Sequence, residues 1–146
     1  MNTKDTMQER ICCFYANEVH LQIMILPYIA SKLETNEKVY LINQDNMEKS
    51  IKNTIRKINL KETKKEEILK LNWGDKISLK DINYEENINI IINGSEDFND
   101  KVTKELKDYS KMNIINSYNL EKISDIEKIK SQYKKTINSI GIKEFA

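Results

Sequence analysis

Apolar residues along this chain fall into two kinds of pattern: short runs, and single residues at helical spacing. Ile11 to Tyr15 is a run of strand formers and predicts a buried strand. Asn17 stands where a helix cap belongs, and Val19, Ile23, Leu26, Ile29, Ala30 and Leu33 then recur as one helical face would. Pro27 lies inside that face and predicts a kink or a fresh helix start, since it lacks an N–H and crowds the preceding turn. Val39 to Ile42 predicts a second buried strand. Asp45 and Glu48 read as an acidic capping box opening a helix to about Ile58, with Met47, Ile51, Ile55 and Ile58 on its inner face. Lys61 to Glu67 is then a charged connection, and Ile68 to Trp73 alternates as a third, half-exposed strand would, closed by Gly74 and Asp75.

Lys76 to Glu86 reads as a loop or short helix. Ile88, Ile90, Ile91 and Ile92 form the most apolar run, as expected of a central strand in a parallel sheet. Gly94-Ser95 turns it into a helix whose inner face carries Phe98, Val102, Leu106 and Tyr109. Met112, Ile114 and Ile115 predict another strand. Ser124 and Glu127 match a capping box before a last helix with Ile126, Ile129, Tyr133, Ile137 and Ile140, and Gly141 is placed to cap its end. Strands alternating with helices predict an α/β fold: a three-layer sandwich with a mostly parallel sheet of about five strands. No linker or repeat interrupts the pattern, so residues 1–146 read as one domain, with 1–10 as a flexible lead-in.

Composition narrows the function classes. Of 146 residues, 39% are hydrophobic and 32% charged, a globular balance. Basic and acidic residues number 24 and 23, and the densest basic runs, Lys61–Lys65 and Lys134-Lys135, are short and sit beside Glu62, Glu66 and Glu67, so they read as solvated surface and nucleic acid is not expected as a partner. The longest apolar stretch, Leu21 to Ala30, is too short to span a bilayer, and no targeting segment is visible, so neither a membrane nor an export route is expected. Cys12 and Cys13 are adjacent and point to opposite faces of a strand, which predicts reduced thiols and a cytoplasmic location.

Parallel sheets take ligands beyond the carboxyl ends of their strands. The turn after the first strand, Ala16-Asn17-Glu18, holds no glycine, and the whole chain has three, widely spaced at Gly74, Gly94 and Gly141. Backbone cannot approach a pyrophosphate past ordinary side chains, so neither a dinucleotide fingerprint nor a phosphate-cradling loop is expected, and no cofactor with it. Glu96 and Asp97 would repel an anion at the other strand-to-helix turn. His20 is the only histidine, which leaves no second one for a metal site. Both cysteines lie in an apolar run, where thiols pack more often than they react, although a Cys–His pair could activate one. Tyr15, His20, Tyr28, Tyr40 and Trp73 fall on or beside the first strands and the first helix. They are the candidate ligand-binding residues, with a plain aromatic core as the competing reading.

Cys12-Cys13-Phe14-Tyr15, followed by a helix and then by Leu26-Pro27-Tyr28-Ile29-Ala30-Ser31-Lys32-Leu33-Glu34-Thr35-Asn36-Glu37-Lys38-Val39-Tyr40-Leu41-Ile42, resembles the MEDS domain, the methanogen/methylotroph, DcmR sensory family. The likeness covers about the first 75 residues. Arg10 stands where the family carries a histidine, and Asn36 where it carries a glycine. The resemblance implies a RecA-like sandwich without the nucleotide loop. It also implies a non-enzymatic sensory role: binding a small organic ligand, or signalling to a histidine kinase or transcription regulator. Two other classes stay open: a cysteine-dependent enzyme or redox protein using Cys12 or Cys13, and a structural homodimer.

Overall fold

The computed structural model describes residues 9–75, 79–84, 87–107, 109, 112–138 and 141–145. The chain runs through β1 (Glu9–Tyr15), α1 (Glu18–Glu34), β2 (Lys38–Asn43), α2 (Glu48–Arg56), α3 (Glu62–Leu69), a 3-10 turn (Leu79–Asp81), β3 (Ile88–Gly94) and α4 (Glu96–Leu106). It continues through β4 (Met112–Asn119), a second 3-10 turn (Leu120–Lys122), α5 (Ile126–Lys130), β5 (Lys135–Asn138) and β6 (Gly141–Glu144). The α/β expectation holds: six strands in the order β2-β3-β4-β1-β5-β6 are all parallel except for β6, which pairs antiparallel with β5. No helix among the described residues is long and apolar enough to cross a membrane.

Strand side chains alternate between the two faces. One face carries Ile11, Cys13, Leu41, Ile91, Ile115 and Ile137 and is covered by α1, α2 and α3, with Trp73 beneath them. The other face carries Ile42, Ile90, Ile92 and Ile114 against Val102 and Leu106 of α4. Cys12 and Tyr118 extend it toward Ile129 of α5. β3 is buried along its whole length, as its isoleucine run predicts. The α2–α3 excursion stays on the first face and returns to the carboxyl end of β2, where Asn43 Nδ2 donates to the carbonyls of Asn72 and Gly74. Leu79 and Ile82 then pack on the opposite face on the way to β3.

Several local expectations are corrected. Glu9 and Arg10 already belong to β1; the rest of the lead-in expected over 1–10 lies outside the described residues. Parts of the expected 76–86 loop lie outside them too. α1 runs unbroken through Pro27, and its buried side is Leu21, Gln22, Met24, Ile25, Leu26, Tyr28 and Ile29. Val19 and Ile23, expected inside, are each 47% exposed, because a helix apolar nearly all round gives no unique phase. No capping box forms at α2: Asn46 Oδ1 accepts from Glu48 N–H, and Asp45 pairs instead with Lys122. Tyr109, expected on the inner face of α4, is exposed and stacks on Tyr84.

Ile68 to Trp73 is not a strand. Ile68 and Leu69 end α3, and Trp73 Nε1 donates to the Ile68 carbonyl at 2.8 Å, folding the segment back under its own helix. The last helix stops at Lys130, capped by Asp125, not by Ser124. Tyr133 follows it, and Ile137 lies in β5 opposite Cys13. Gly141 opens β6 at φ 139, where a side chain would be strained, and does not cap a helix. Asn36 sits at φ 61, ending α1 in a left-handed turn with Glu37 N bonded to Lys32 O and Asn36 N to Leu33 O.

Candidate functional site

Strand order places the site. From β1 the chain moves outward to β2, while from β4 it passes β1 to reach β5, so the connections diverge beside β1 and leave a crevice at the carboxyl ends. A cleft of about 60 Å³ opens there, lined by Tyr15, Glu18, Asp45, Met47, Asn93 and Asn119 together with Leu21. β1, β3 and β4 contribute their last residues or nearly so, and the first residue of α1 and the turn after β2 contribute the two carboxylates. At about 30 Å³ per water, the volume holds roughly two water-sized groups, far less than a nucleotide.

Asn93 is the buried polar residue of the cleft, at 3% exposure. Its orientation is fixed by its neighbour. Asn43 Nδ2 donates to two carbonyls, so Asn43 Oδ1 is an acceptor, and Asn93 must present Nδ2 to it, at 2.7 Å. Asn93 Oδ1 is thereby left buried with no hydrogen-bond partner among the described residues. Such a group costs about 1–3 kcal/mol when nothing meets it.

Several N–H groups around this end already have acceptors. Ala16 N donates to His20 Nδ1 at 2.9 Å, and His20 N to Asn17 Oδ1 at 2.9 Å. Ser95 N meets Gln44 Oε1, Phe98 N meets Ser95 Oγ, and Glu121 N meets Asn119 Oδ1. Met47 N donates to Trp73 O and Gln44 N to Asn93 O. Glu18 Oε2 accepts from Ser50 Oγ, and Asp45 Oδ2 lies 3.4 Å from Lys122 Nζ at the rim. The Tyr15 hydroxyl is pushed up from the ordinary tyrosine range, first by burial and then by the negative charge of Asp45, with smaller contributions from Cys13 and Glu18.

Of the five aromatic and histidine candidates, only Tyr15 lines this cleft. His20 Nδ1 accepts from Ala16 N on the first turn of α1, so the ring acts as a local cap. Tyr28 lies toward the opposite end of the sheet, where its hydroxyl donates to Asn89 Oδ1 at 2.9 Å and its ring borders a groove between α1 and the β5–β6 hairpin. Tyr40 is half-buried on the α4 face, accepting from Asn83 N. Trp73 is 2% exposed and packed under α3. The candidates therefore do not share one pocket. Glu18, Asp45, Asn93 and Asn119 went unselected by sequence reasoning, although an asparagine closing an isoleucine run, Ile92-Asn93-Gly94, was a visible anomaly.

Cys12 and Cys13 are free and buried. Burial pushes the Cys13 thiol up to about 12 and also raises Cys12. No group of three or more His, Cys, Asp or Glu side chains suited to a metal ion occurs among the described residues. No protein-family model, curated protein or solved structure matches the chain.

Proposed function

We propose that this chain is a non-enzymatic sensory or regulatory module that binds a small organic ligand at the carboxyl edge of its sheet and reports occupancy to a signalling partner. The observation that carries this reading is the open cleft beside β1, with the buried, unanswered carbonyl of Asn93 in its wall. Ligands of α/β sheets dock at this edge, and a cleft left open by its own side chains is what sensing requires. The resemblance of the first 75 residues to the MEDS sensory domain supports it. So do the two buried thiols, whose raised ionisation works against a cysteine nucleophile. A thermal-melting screen against small metabolites tests the proposal. At least one compound should raise the melting temperature in proportion to its occupancy of the cleft. A screen in which no compound moves it would count against sensing.

A homodimer is the second reading with an observation behind it. Val19, Ile23 and Ile142 are each 47% exposed, and β6 presents an edge with exposed side chains. Light scattering separates the two: a dimer at micromolar concentration favours the structural reading.

A further inference from the structure

We infer that the cleft beside β1 selects a cationic nitrogen, the ammonium head of a small amine. The inference rests on the ligand-binding reading above and specifies the chemistry of its ligand.

Three observations carry it. Asn93 lines the cleft, its Oδ1 is buried with no partner among the described residues, and the fixed orientation of Asn43 engages its amide N–H₂ elsewhere. A buried acceptor is answered only by a donor. Two carboxylates, Glu18 and Asp45, line the same space, so the donor that fits is a charged one. The competing positive element, the N-terminus of α1, is worth about half an elementary charge, less than either carboxylate; of its first turn, the His20 N–H is already bonded to the cap Asn17. Lys122 reaches Asp45 at the exposed rim, and Glu18, which accepts from Ser50 through Oε2, has no cationic side chain paired with it among the described residues. The volume, about 60 Å³, admits a head of roughly two heavy atoms, with any longer chain directed to solvent. An ammonium supplies up to three donors, enough for Asn93 Oδ1 and the two carboxylates. The Tyr15 hydroxyl and the Asn119 side-chain amide remain at the rim for a polar substituent on the same ligand.

The test is a nuclear magnetic resonance titration of the isotope-labelled full chain at constant ionic strength. Methylammonium and ethylammonium chloride are the probes, methanol and ethanol the neutral counterparts, and sodium acetate the anion. The alkylammonium ions should produce saturable shifts at the amides of Tyr15, Glu18, Asn93 and Asn119, and the counterparts should not. The double variant Glu18→Gln, Asp45→Asn should weaken alkylammonium binding by tenfold or more. Its fold should survive, because a glutamine oxygen can still accept from Ser50 and Asp45 loses only an exposed ion pair. Alkylammonium shifts matched by the alcohols, or unchanged in the double variant, would overturn the inference. If a neutral or anionic compound saturates the same residues, the cation assignment falls and the sensing role stands. If nothing in the titration or the wider screen binds there, both fall.

Discussion

Thr54→Val and Gln22→Leu delete the same hydrogen bond, yet the structure predicts that they differ in cost. Gln22 is completely buried on α1. Its Oε1 accepts from Thr54 Oγ1 at 2.5 Å, and its Nε2 donates to Ser50 Oγ at 2.7 Å, tying α1 to α2. Thr54→Val keeps the shape but strands the Gln22 carbonyl in a dry interior, which costs about 1–3 kcal/mol. Gln22→Leu removes both polar atoms of the amide. Thr54 Oγ1 keeps its bond to the Ser50 carbonyl at 3.1 Å, and Ser50 Oγ still donates to Glu18. Nothing is orphaned as a donor, so the expected cost is roughly 0–1 kcal/mol.

The double variant decides the matter. Once Gln22 is leucine, Thr54→Val has no carbonyl left to strand, so the pair should cost about as much as Gln22→Leu alone. Urea unfolding at fixed slope measures each difference, and in a domain of this size about 1 kcal/mol moves the melting point by roughly 3–5 °C. The reasoning fails if Thr54→Val proves as mild as Gln22→Leu, or if the two costs simply add.

Two further outcomes follow from the local structure. Because burial raises the Cys13 thiol to about 12 from 9.0, the folded state holds this proton more tightly than the unfolded chain. Its contribution to stability is therefore complete below about pH 9 and is lost as pH climbs toward 12. Unfolding between pH 8 and 10.5 should show a shallower decline in Cys13→Val than in the parent, and equal slopes would refute the assignment. Asn36 holds φ 61, so Asn36→Gly should stabilise by roughly 0.5–1 kcal/mol and Asn36→Ala destabilise by about 1 kcal/mol, read by thermal melting.

How much of this could be read in the sequence depended on whether a segment's pattern had one solution. Ile11–Tyr15 and Ile88–Ile92 are dense strand-forming runs, and Asn17 caps the helix after the first of them through His20 N, as its position predicts. Ile68–Trp73 satisfies both periods, and the choice is made by tertiary contact: the Trp73 ring packs beneath the helices and its Nε1 finds the Ile68 carbonyl. The segment from Ile126 to Ile140 fits a helix equally well. Yet β1 has a second edge to satisfy, and Lys135–Ile137 pairs with Ile11–Cys13, a demand set 124 residues away that no local window contains. At the site, Tyr15 was legible as an aromatic at a strand end. Asn93 was not selected, because its meaning depends on which way Asn43 is turned.

The character of the cleft follows from the scarcity of glycine by a simple route. A phosphate cradle needs loop N–H groups that point outward and backbone that a ligand can touch. Here the turns at the carboxyl edge are built from residues with short polar side chains, and those side chains fold back onto the turns. Asn17, Gln44, Asn46, Ser95 and Asn119 each spend an oxygen on a neighbouring N–H. Several donors that could have met an anion are spent in stabilising the turns, while the Asn93 carbonyl has no partner among the described residues and Glu18 and Asp45 add negative charge at the same edge. A turn that caps itself leaves acceptors facing the crevice. The same substitution of polar side chains for glycine that removes affinity for phosphate therefore gives this edge of the sheet an attraction for positive charge.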